Sequence, residues 1–271
     1  MAFIRRAMPR LAHRLTARMA CTGLTLPLRR HKSTTAASST YSKKPIISGH
    51  PVGPFQMNMF LVACKDAGQA ALVDSGATAA ELKYFQNLIE EHGLEVTHLL
   101  QTHAHIDHVR GLAVSRELWP DVPIYLHEKD MPVYRNAAQS AAAYSIEIPG
   151  GVLPEDNIVH VEDGDVVSVG TSIDLRVLFT PGHCPGHVCY HDAKHAYLIG
   201  GDLIFQNSIG RTDLPLCDPD DMDASLERVL REVPPQTVVL PGHMGTTTIE
   251  QELKSNPFLI AAMDAVNSTN T

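Results

Sequence analysis

The chain has 271 residues, of which 44% are apolar and 19% are charged, and its formal net charge is −8. This composition is typical of a globular protein and excludes a coiled coil, a collagen and a wholly disordered chain. One large domain or two small ones fit this length. Every apolar run is far shorter than the ~18 residues needed to span a membrane. Five cysteines without a CxxC pair predict free thiols and a reducing compartment.

The first 44 residues differ from the rest of the chain in charge. They contain ten of the 22 Lys and Arg residues, and no acid occurs before Asp66. Four arginines from Arg6 to Arg18 are spaced by four and would form one stripe of a helix, with a Ser/Thr-rich stretch behind them. This pattern predicts a disordered transit peptide over residues 1–44 that delivers the protein to the mitochondrial matrix. The alternative is a basic arm that binds nucleic acid or a membrane surface.

The remaining residues, 45–271, are strongly acidic and form the second predicted unit. They contain 12 Lys and Arg against 30 Asp and Glu, which gives a formal charge of −18. Because nucleic-acid binding depends on cations that neutralise phosphates, we expect no nucleic-acid partner for this unit. We also expect no membrane partner, since no long apolar segment is present.

Strand and helix patterns alternate along this unit. The apolar period changes between two, which is typical of strands, and three to four, which is typical of amphipathic helices. The predicted strands are Phe55–Cys64, Ala70–Asp74, Val96–Thr102, Pro123–His127, Val166–Val169, Ile173–Phe179, Val188–His191, Ala196–Gly201 and Thr237–Leu240. The predicted helices are Ala79–His92, Val109–Leu118, Asp221–Glu232 and Thr248–Leu253. Two blocks of strands, each followed by helices, predict an α/β fold with two packed sheets and helices on both outer faces.

Four potential metal ligands follow the predicted strand Val96–Thr102 within six residues. They are His103, His105, Asp107 and His108, in an HxHxDH pattern. From composition alone this pattern is expected roughly 0.003 times per chain, so chance is a poor explanation. Residues two apart point in different directions on a helix, so these side chains can converge only from a loop between strand and helix.

Three further candidates come at the ends of later predicted strands. His183 lies in a Thr-Pro-Gly-His motif, Asp202 in Gly-Gly-Asp and His243 in Pro-Gly-His. The preceding glycine allows the chain to turn and expose the side chain at a sheet edge. A mixed set of imidazoles and carboxylates suits Zn, with Fe or Mn also accepted.

These motifs, in this order, resemble the metallo-β-lactamase superfamily. The stretch from Gly201 to Pro215 and the terminal Asn256-Pro-Phe-Leu resemble more narrowly its small glyoxalase II-like hydrolases, also called hydroxyacylglutathione hydrolases. The resemblance covers residues 51–260 and implies a four-layer αββα sandwich with a binuclear metal site.

The same resemblance implies a role for each of the seven candidates. The ligands that it assigns to metal 1 are His103, His105 and His183. The ligands that it assigns to metal 2 are Asp107, His108 and His243, and the bridging ligand is Asp202. Two divalent ions, Zn first and Fe or Mn as alternatives, would lower the pKa of a shared water and deliver a bridging hydroxide at neutral pH. Asp107 would additionally orient that hydroxide.

The resemblance predicts hydrolysis of a small-molecule thioester such as S-D-lactoylglutathione. Arg211 follows Asp202 closely and is placed to meet a substrate carboxylate. The chain departs from full glyoxalase II enzymes, which carry a C-terminal helical domain with basic glutathione contacts. Here 28 residues follow His243, and Lys254 is the sole Lys or Arg among them. This departure concerns glutathione recognition and leaves the hydrolytic centre as predicted.

Four alternatives remain open from the residues. A persulfide dioxygenase has a similar stretch after Asp202 but uses one iron, and retention of Asp107, His108 and His243 favours two metals over it. A β-lactamase or lactonase and a nuclease belong to the same superfamily, the last disfavoured by the acidic body. The non-enzymatic alternative is a metal-binding domain with an inactive site.

Several other polar residues receive a structural interpretation. Asp74 is expected to orient a metal-ligand histidine from behind, or to serve only in a turn. His98 is predicted to be a core histidine, and His187 a packing or loop residue. His191 and His195 bracket a hairpin turn and are expected to be solvated.

Overall fold

The computed structural model describes residues 44–269, so the predicted transit peptide lies outside the described residues except for Lys44. Within this range, a first sheet has six strands in chain order. They are β1 (Ile46–Val52), β2 (Met57–Cys64), β3 (Gln69–Val73), β4 (Glu95–Leu100), β5 (Ile124–Leu126) and β6 (Ile158–His160). The strands β1 to β3 pair antiparallel, and β3 to β6 pair parallel. The parallel part therefore brings the carboxyl ends of its strands to one edge.

A second six-stranded sheet contains the later strands of the described range, together with a separate small hairpin. From one edge to the other, the sheet contains β14 (Thr247–Thr248), β13 (Val238–Pro241), β10 (Tyr197–Gly201), β9 (Val188–Asp192), β8 (Ile173–Phe179) and β7 (Val166–Val169). The hairpin consists of β11 (Ile204–Phe205) and β12 (Ser208–Ile209). Because β9 is antiparallel to both β8 and β10, and β10 is parallel to β13, the strands β8, β10 and β13 all end at the same edge.

Helices cover the two outer faces of the described fold. The helices are α1 (Ala79–His92), α2 (Ile106–Val109), α3 (Leu112–Leu118), α4 (Met131–Arg135), α5 (Ala137–Tyr144), α6 (Pro219–Glu232), α7 (Ile249–Ser255) and α8 (Pro257–Thr269). No helix in residues 44–269 combines the length and the apolar character needed to cross a membrane.

The alternation of side chains along the strands creates the layers. In β2, Met59 and Leu61 pack towards the helices, whereas Phe60 and Val62 pack towards the second sheet. In β8, Leu175 and Val177 face the first sheet, and Leu178 faces α6. Because successive side chains of a strand point to opposite faces, each sheet carries one apolar layer on each side. The architecture is the predicted four-layer αββα sandwich.

Local signals set the bounds of α1, which the sequence predicts correctly. Thr78 accepts a hydrogen bond from the backbone N–H of Glu81, and the Glu81 side chain accepts one from the backbone N–H of Thr78. Gly93 ends the helix in the left-handed conformation with φ 59°. A capping box at one end and a glycine at the other thus fix both ends of the helix.

The structure differs from the predicted elements in one predicted helix and in several elements that were not predicted. The predicted helix Val109–Leu118 is two helices that meet at Gly111, where the backbone packs so closely on Ala77 O that a β-carbon would overlap it. The elements absent from the prediction are the strands β1, β6, β11, β12 and β14 and the helices α4, α5 and α8. Of these, β1 and α8 have no strong period of their own: β1 is stabilised by continuous pairing with β2, and α8 by packing against α6 and α7.

Candidate metal centre

One loop of the first half of the sandwich carries four of the predicted ligands. The strand β4 ends at Leu100, and the segment from His103 to His108 runs from this loop into α2. Asp74, at the end of β3, accepts hydrogen bonds from Thr102 N and Thr102 Oγ1, both at 2.8 Å. The same carboxylate lies 3.0 Å from His108 Nδ1. Asp74 therefore fixes both the start and the end of the ligand segment.

The second half of the sandwich supplies three ligands from three separate loops. His183 follows β8, Asp202 follows β10 and His243 follows β13. Glycines permit these turns: Gly182 has φ 130° and Gly201 has φ 49°, conformations that disfavour a side chain. Because the three strands end at one edge, their loops meet the segment from the first half.

All seven predicted side chains come together at this edge. Among the described residues, three groups have ligand atoms within 4.8 Å of one another. The groups are His103 with His105 and His183, His103 with His108 and Asp202, and Asp107 with His108 and His243. The first and the third are the sets that the sequence assigns to metal 1 and metal 2, and the second places Asp202 beside both.

The distances within the cluster are those of donors that share a common space. His105 Nδ1 lies 2.8 Å from His183 Nε2, and His243 Nε2 lies 3.1 Å from Asp107 Oδ2. Asp202 Oδ2 lies 3.5 Å from both His183 Nε2 and His243 Nε2. Its other oxygen, Oδ1, lies 3.4 Å from His108 Nε2.

Hydrogen bonds at the outer ring nitrogens direct the inner ones into the cluster. His183 Nδ1 donates to the Arg211 carbonyl at 2.8 Å, which leaves the Nε2 lone pair towards the cluster. Thr102 Oγ1 donates to Asp74 and so accepts from His103 Nδ1 at 3.1 Å. Such outer partners set the tautomer and the orientation of metal-ligand histidines.

The residues present fit a bound cation. His103 Nε2, His108 Nε2 and Asp202 Oδ1 are buried and have no hydrogen-bond partner in the described residues. Buried polar atoms without a partner are costly, and a cation bound between these three would satisfy them together. Nitrogen and carboxylate oxygen in this ratio are donors that Zn, Fe and Mn accept.

The charges of the cluster also favour a cation. Burial lowers the pKa of His103 well below its usual value and that of His105 to about 3, so both imidazoles are neutral near pH 7 and their lone pairs are free to bind a cation. Burial acts against ionisation of Asp202, but His108, His183 and His243 outweigh it and hold its pKa below the usual range. Burial also acts against protonation of His108 and His243, but Asp107 and Asp202 outweigh it and raise the pKa of both rings, so the two carboxylates attract positive charge to this space.

Two residues that the sequence analysis left aside support the ligand loops. Asp130, fully buried, accepts hydrogen bonds from Ala104 N at 2.6 Å and from Gly186 N at 2.5 Å. It thus links the ligand loop of the first half to the loop of His183, and burial raises its pKa to about 6. His187 Nε2 accepts from Asp202 N at 3.1 Å. No local pattern marks Asp130, whereas the repeated Pro-Gly-His at 185–187 was a usable signal for His187.

The structure contradicts the expectation that His191 and His195 are solvated. His191 is buried in β9, and His195 Nδ1 lies 2.7 Å from Asp192 Oδ2, so neither ring is simply solvated. The expectation was wrong because β9 is a central strand with both faces covered. His98 matches its interpretation, since its ring packs against Tyr125 with the centroids 5.2 Å apart.

A cavity of about 1070 Å³ opens directly above the metal cluster. His105, Asp107, His183, Asp202 and His243 form part of its lining. A small molecule of ordinary size can therefore reach the predicted ligands. Arg211 also lines the cavity, and its guanidinium donates to both carboxylate oxygens of Asp213 at 2.6 and 2.8 Å.

The fold and the cluster agree with the comparison to known proteins, which places the chain in a family. Residues 52–243 match the metallo-β-lactamase superfamily, and the chain belongs to that superfamily. The chain is thus a member of a superfamily of metal-dependent enzymes that are mostly hydrolases.

The match to this chain spans nearly the whole length of two similar proteins. A probable metallo-hydrolase, YqgX of Bacillus subtilis, is 35% identical over 77% of this chain and 95% of its own. A protein named hydroxyacylglutathione hydrolase GloC, from Haemophilus influenzae, is 32% identical over 77% of this chain and 95% of its own.

Three solved structures share the fold. A di-iron-bound form of TTHA1623 is 38% identical, with TM-score 0.66 over 80% of this chain and 100% of that chain. The B3 metallo-β-lactamase BLEG-1 is 32% identical, with TM-score 0.69 over 79% of this chain and 99% of that chain. ETHE1 from Myxococcus xanthus has TM-score 0.63 over 82% of this chain and 91% of that chain. Its sequence identity is 24%, so the likeness concerns the fold alone.

Proposed function

We propose that the chain is a metal-dependent thioester hydrolase that acts on S-D-lactoylglutathione or a related acyl-thiol. The observation that carries the proposal is the convergence of seven His and Asp side chains at the floor of a cavity of small-molecule size. The relative named hydroxyacylglutathione hydrolase supports the reaction type.

Each half of the cluster has a defined task in this proposal. His103, His105 and His183 would hold one divalent ion, and Asp202, which lies 3.5 Å from rings of both sets, would serve both ions. The second ion would be held by Asp107, His108 and His243. Two bound divalent ions supply a water of lowered pKa and polarise a carbonyl oxygen. Zn is our first expectation; the di-iron form of TTHA1623 supports iron as the alternative.

The remaining steps belong to side chains of this protein. Asp107 lines the cavity with its carboxylate, and the oxygen not directed at His243 is available to orient the attacking water. A thiolate leaves without protonation by a strong acid, so the reaction needs no further proton donor. Arg211, at the cavity wall, is available to a substrate carboxylate if its contact with Asp213 opens.

The test is turnover of S-D-lactoylglutathione by the purified protein under anaerobic conditions, with the metal content measured on the same sample. Rapid hydrolysis with about two metals per chain is the expected result. No hydrolysis with one iron per chain, and oxygen consumption with glutathione persulfide, would establish a dioxygenase instead. A chromogenic β-lactam tested in parallel separates a β-lactamase from both.

We also propose that residues 1–44 direct the protein to the mitochondrial matrix. The acid-free, arginine-rich composition of this segment supports the proposal. A fluorescent protein fused behind residues 1–44 is expected to enter mitochondria, and the chain without these residues is expected to stay outside and keep its activity. Import of the truncated chain would refute the targeting role.

A further inference from the structure

The rim of the active-site cavity carries four large apolar side chains that are exposed to solvent. Phe55 and Tyr144 are 43% and 46% exposed, and Leu216 and Met244 are 61% and 58% exposed. All four line the cavity, and the rings of Phe55 and Tyr144 meet edge to face at 5.6 Å. An exposed apolar patch beside a cavity marks a binding surface for an apolar group.

Two of these residues are held in an unusual backbone conformation. Leu216 has φ 70° and Met244 has φ 68°, in the left-handed region where glycine or asparagine is the ordinary residue. A large apolar residue in this region costs free energy, and such strain is concentrated at ligand sites. Exposure and strain together indicate that these side chains are kept for contact with a ligand.

The cavity offers little to bind an anion away from its floor. Among the described residues that line it, Arg211 is the only Lys or Arg, and it already makes two hydrogen bonds to Asp213. An anionic thiol carrier such as glutathione, which has two carboxylates, would have to displace Asp213 to find a cationic partner.

We infer that this site prefers thioesters whose acyl group is extended and apolar, bound against Phe55, Tyr144, Leu216 and Met244, over short polar acyl groups carried by an anionic thiol. The inference rests on the proposed thioester hydrolysis and names the substrate class of the same site. The cavity of about 1070 Å³ lies at the upper end of the range for small-ligand sites, so it has room for such a chain.

The experiment uses the full metal-loaded chain and two matched series of substrates. Acetyl, butanoyl and hexanoyl thioesters of N-acetylcysteamine, an uncharged thiol, are compared with the same acyl groups on glutathione. We expect kcat/KM to rise about fourfold for each methylene that enters the cavity, because burial of one methylene contributes about that factor. We also expect the uncharged carrier to be turned over at least as well as glutathione.

Variants of the rim separate specificity from general damage. Leu216→Ala is expected to lower kcat/KM about tenfold for hexanoyl thioesters and less than twofold for acetyl thioesters. Met244→Ala should act in the same direction, and an equal loss on both substrates would mean a structural role. Val152→Ala, at an exposed site outside this cavity, is the matched control and should change neither value.

Three outcomes are distinct. A rise with acyl length that Leu216→Ala flattens supports the inference. Rates that do not depend on acyl length, with glutathione favoured more than about tenfold, overturn it but leave thioester hydrolysis intact. Failure to hydrolyse any thioester while the metals are bound overturns the proposed function and, with it, the inference.

Discussion

The two halves of the sandwich contribute to the metal cluster in different ways. The half with β1 to β6 supplies His103, His105, Asp107 and His108 from one segment of six residues. The half with β7 to β10 and β13 supplies three candidate ligands from three loops, with successive ligands up to 41 residues apart. The first set depends on one turn, whereas the second depends on the parallel alignment of three strands. Asp130 joins the two, because its carboxylate accepts from one loop of each half.

The largest expected effect comes from removing one ligand of either half. Asp107→Ala and His183→Ala should each lower hydrolysis by a factor of at least about 10³, because each would remove a ligand of one of the two proposed ions. The fold should remain, which circular dichroism checks beside the turnover assay. Asp264→Ala, an exposed carboxylate on α8, is the matched control and should keep full activity. Unchanged turnover in either ligand variant would mean that its half of the cluster has no part in the reaction.

The next effect tests how closely the second half packs on the first. A β-carbon at Gly242 would overlap Asp202 Oδ1 and lie 2.8 Å from His108 Cε1, so Gly242→Ala should displace both ligands. We expect kcat/KM and bound metal to fall by roughly 10- to 100-fold, as for loss of ligand orientation. At Gly245 the added carbon would meet only the flexible Gln206 side chain, at 3.2 Å. Gly245→Ala should therefore be close to wild type, and equal losses in both variants would contradict the prediction.

A smaller effect tests the link between the halves. In the wild type, the N–H groups of Ala104 and Gly186 each donate to a different carboxylate oxygen of Asp130. Asp130→Asn leaves only one acceptor oxygen for these two donors. The free energy of unfolding should fall by about 1–3 kcal/mol, the cost of a buried donor without a partner. Activity should fall about tenfold, because both ligand loops shift. Chemical denaturation and kinetics measure the two quantities, with Glu128→Gln, an exposed neighbour in the same turn, as the control. A variant that loses activity without losing stability would point to a chemical role for Asp130 instead.

The smallest effect concerns His98, in the strand β4 that precedes the segment from His103 to His108. Burial lowers the pKa of His98 to about 4, below an ordinary value near 6.5. The neutral ring therefore contributes stability that is fully present above about pH 6.5 and is lost as the pH falls towards 4. Between pH 7 and pH 5, wild type should lose up to about 2 kcal/mol more unfolding free energy than His98→Gln. Urea denaturation at both pH values measures the difference, and parallel losses in the two proteins would exclude this role.

Much of the fold follows from local signals in the sequence. The bounds of α1 follow from Thr78, Glu81 and Gly93, and the alternation of apolar residues identifies β8. The hairpin of β9 and β10 is also predicted, although the burial of His191 in it is not. Among the elements that were missed, β1 and α8 are stabilised mainly by their neighbours, so their own sequences carry a weak pattern.

The residues of the candidate site also differ in whether a local sequence signal identifies them or only the tertiary structure does. The HxHxDH segment is readable in the sequence because its donors are adjacent and its turn is fixed locally. The later ligands, His183, Asp202 and His243, were predicted through short glycine motifs and a family resemblance, but only the packed strands bring them within reach. Asp130 carries no signal that the chain alone reveals, since it acts through a loop more than 25 residues away. The Pro-Gly-His motif predicts a turn at Gly242, but its close contacts with Asp202 and His108 appear only in the packed structure.

The sequence by itself thus determined which residues can bind metal, where strands and helices alternate, and the opposite charges of the first 44 residues and the remainder. The tertiary structure decided which donors share one space, which backbone groups hold them, and how apolar the cavity above them is. The physical reason is that propensity and period act over a few residues, whereas a metal site and its cavity depend on side chains that meet only after the two sheets have packed.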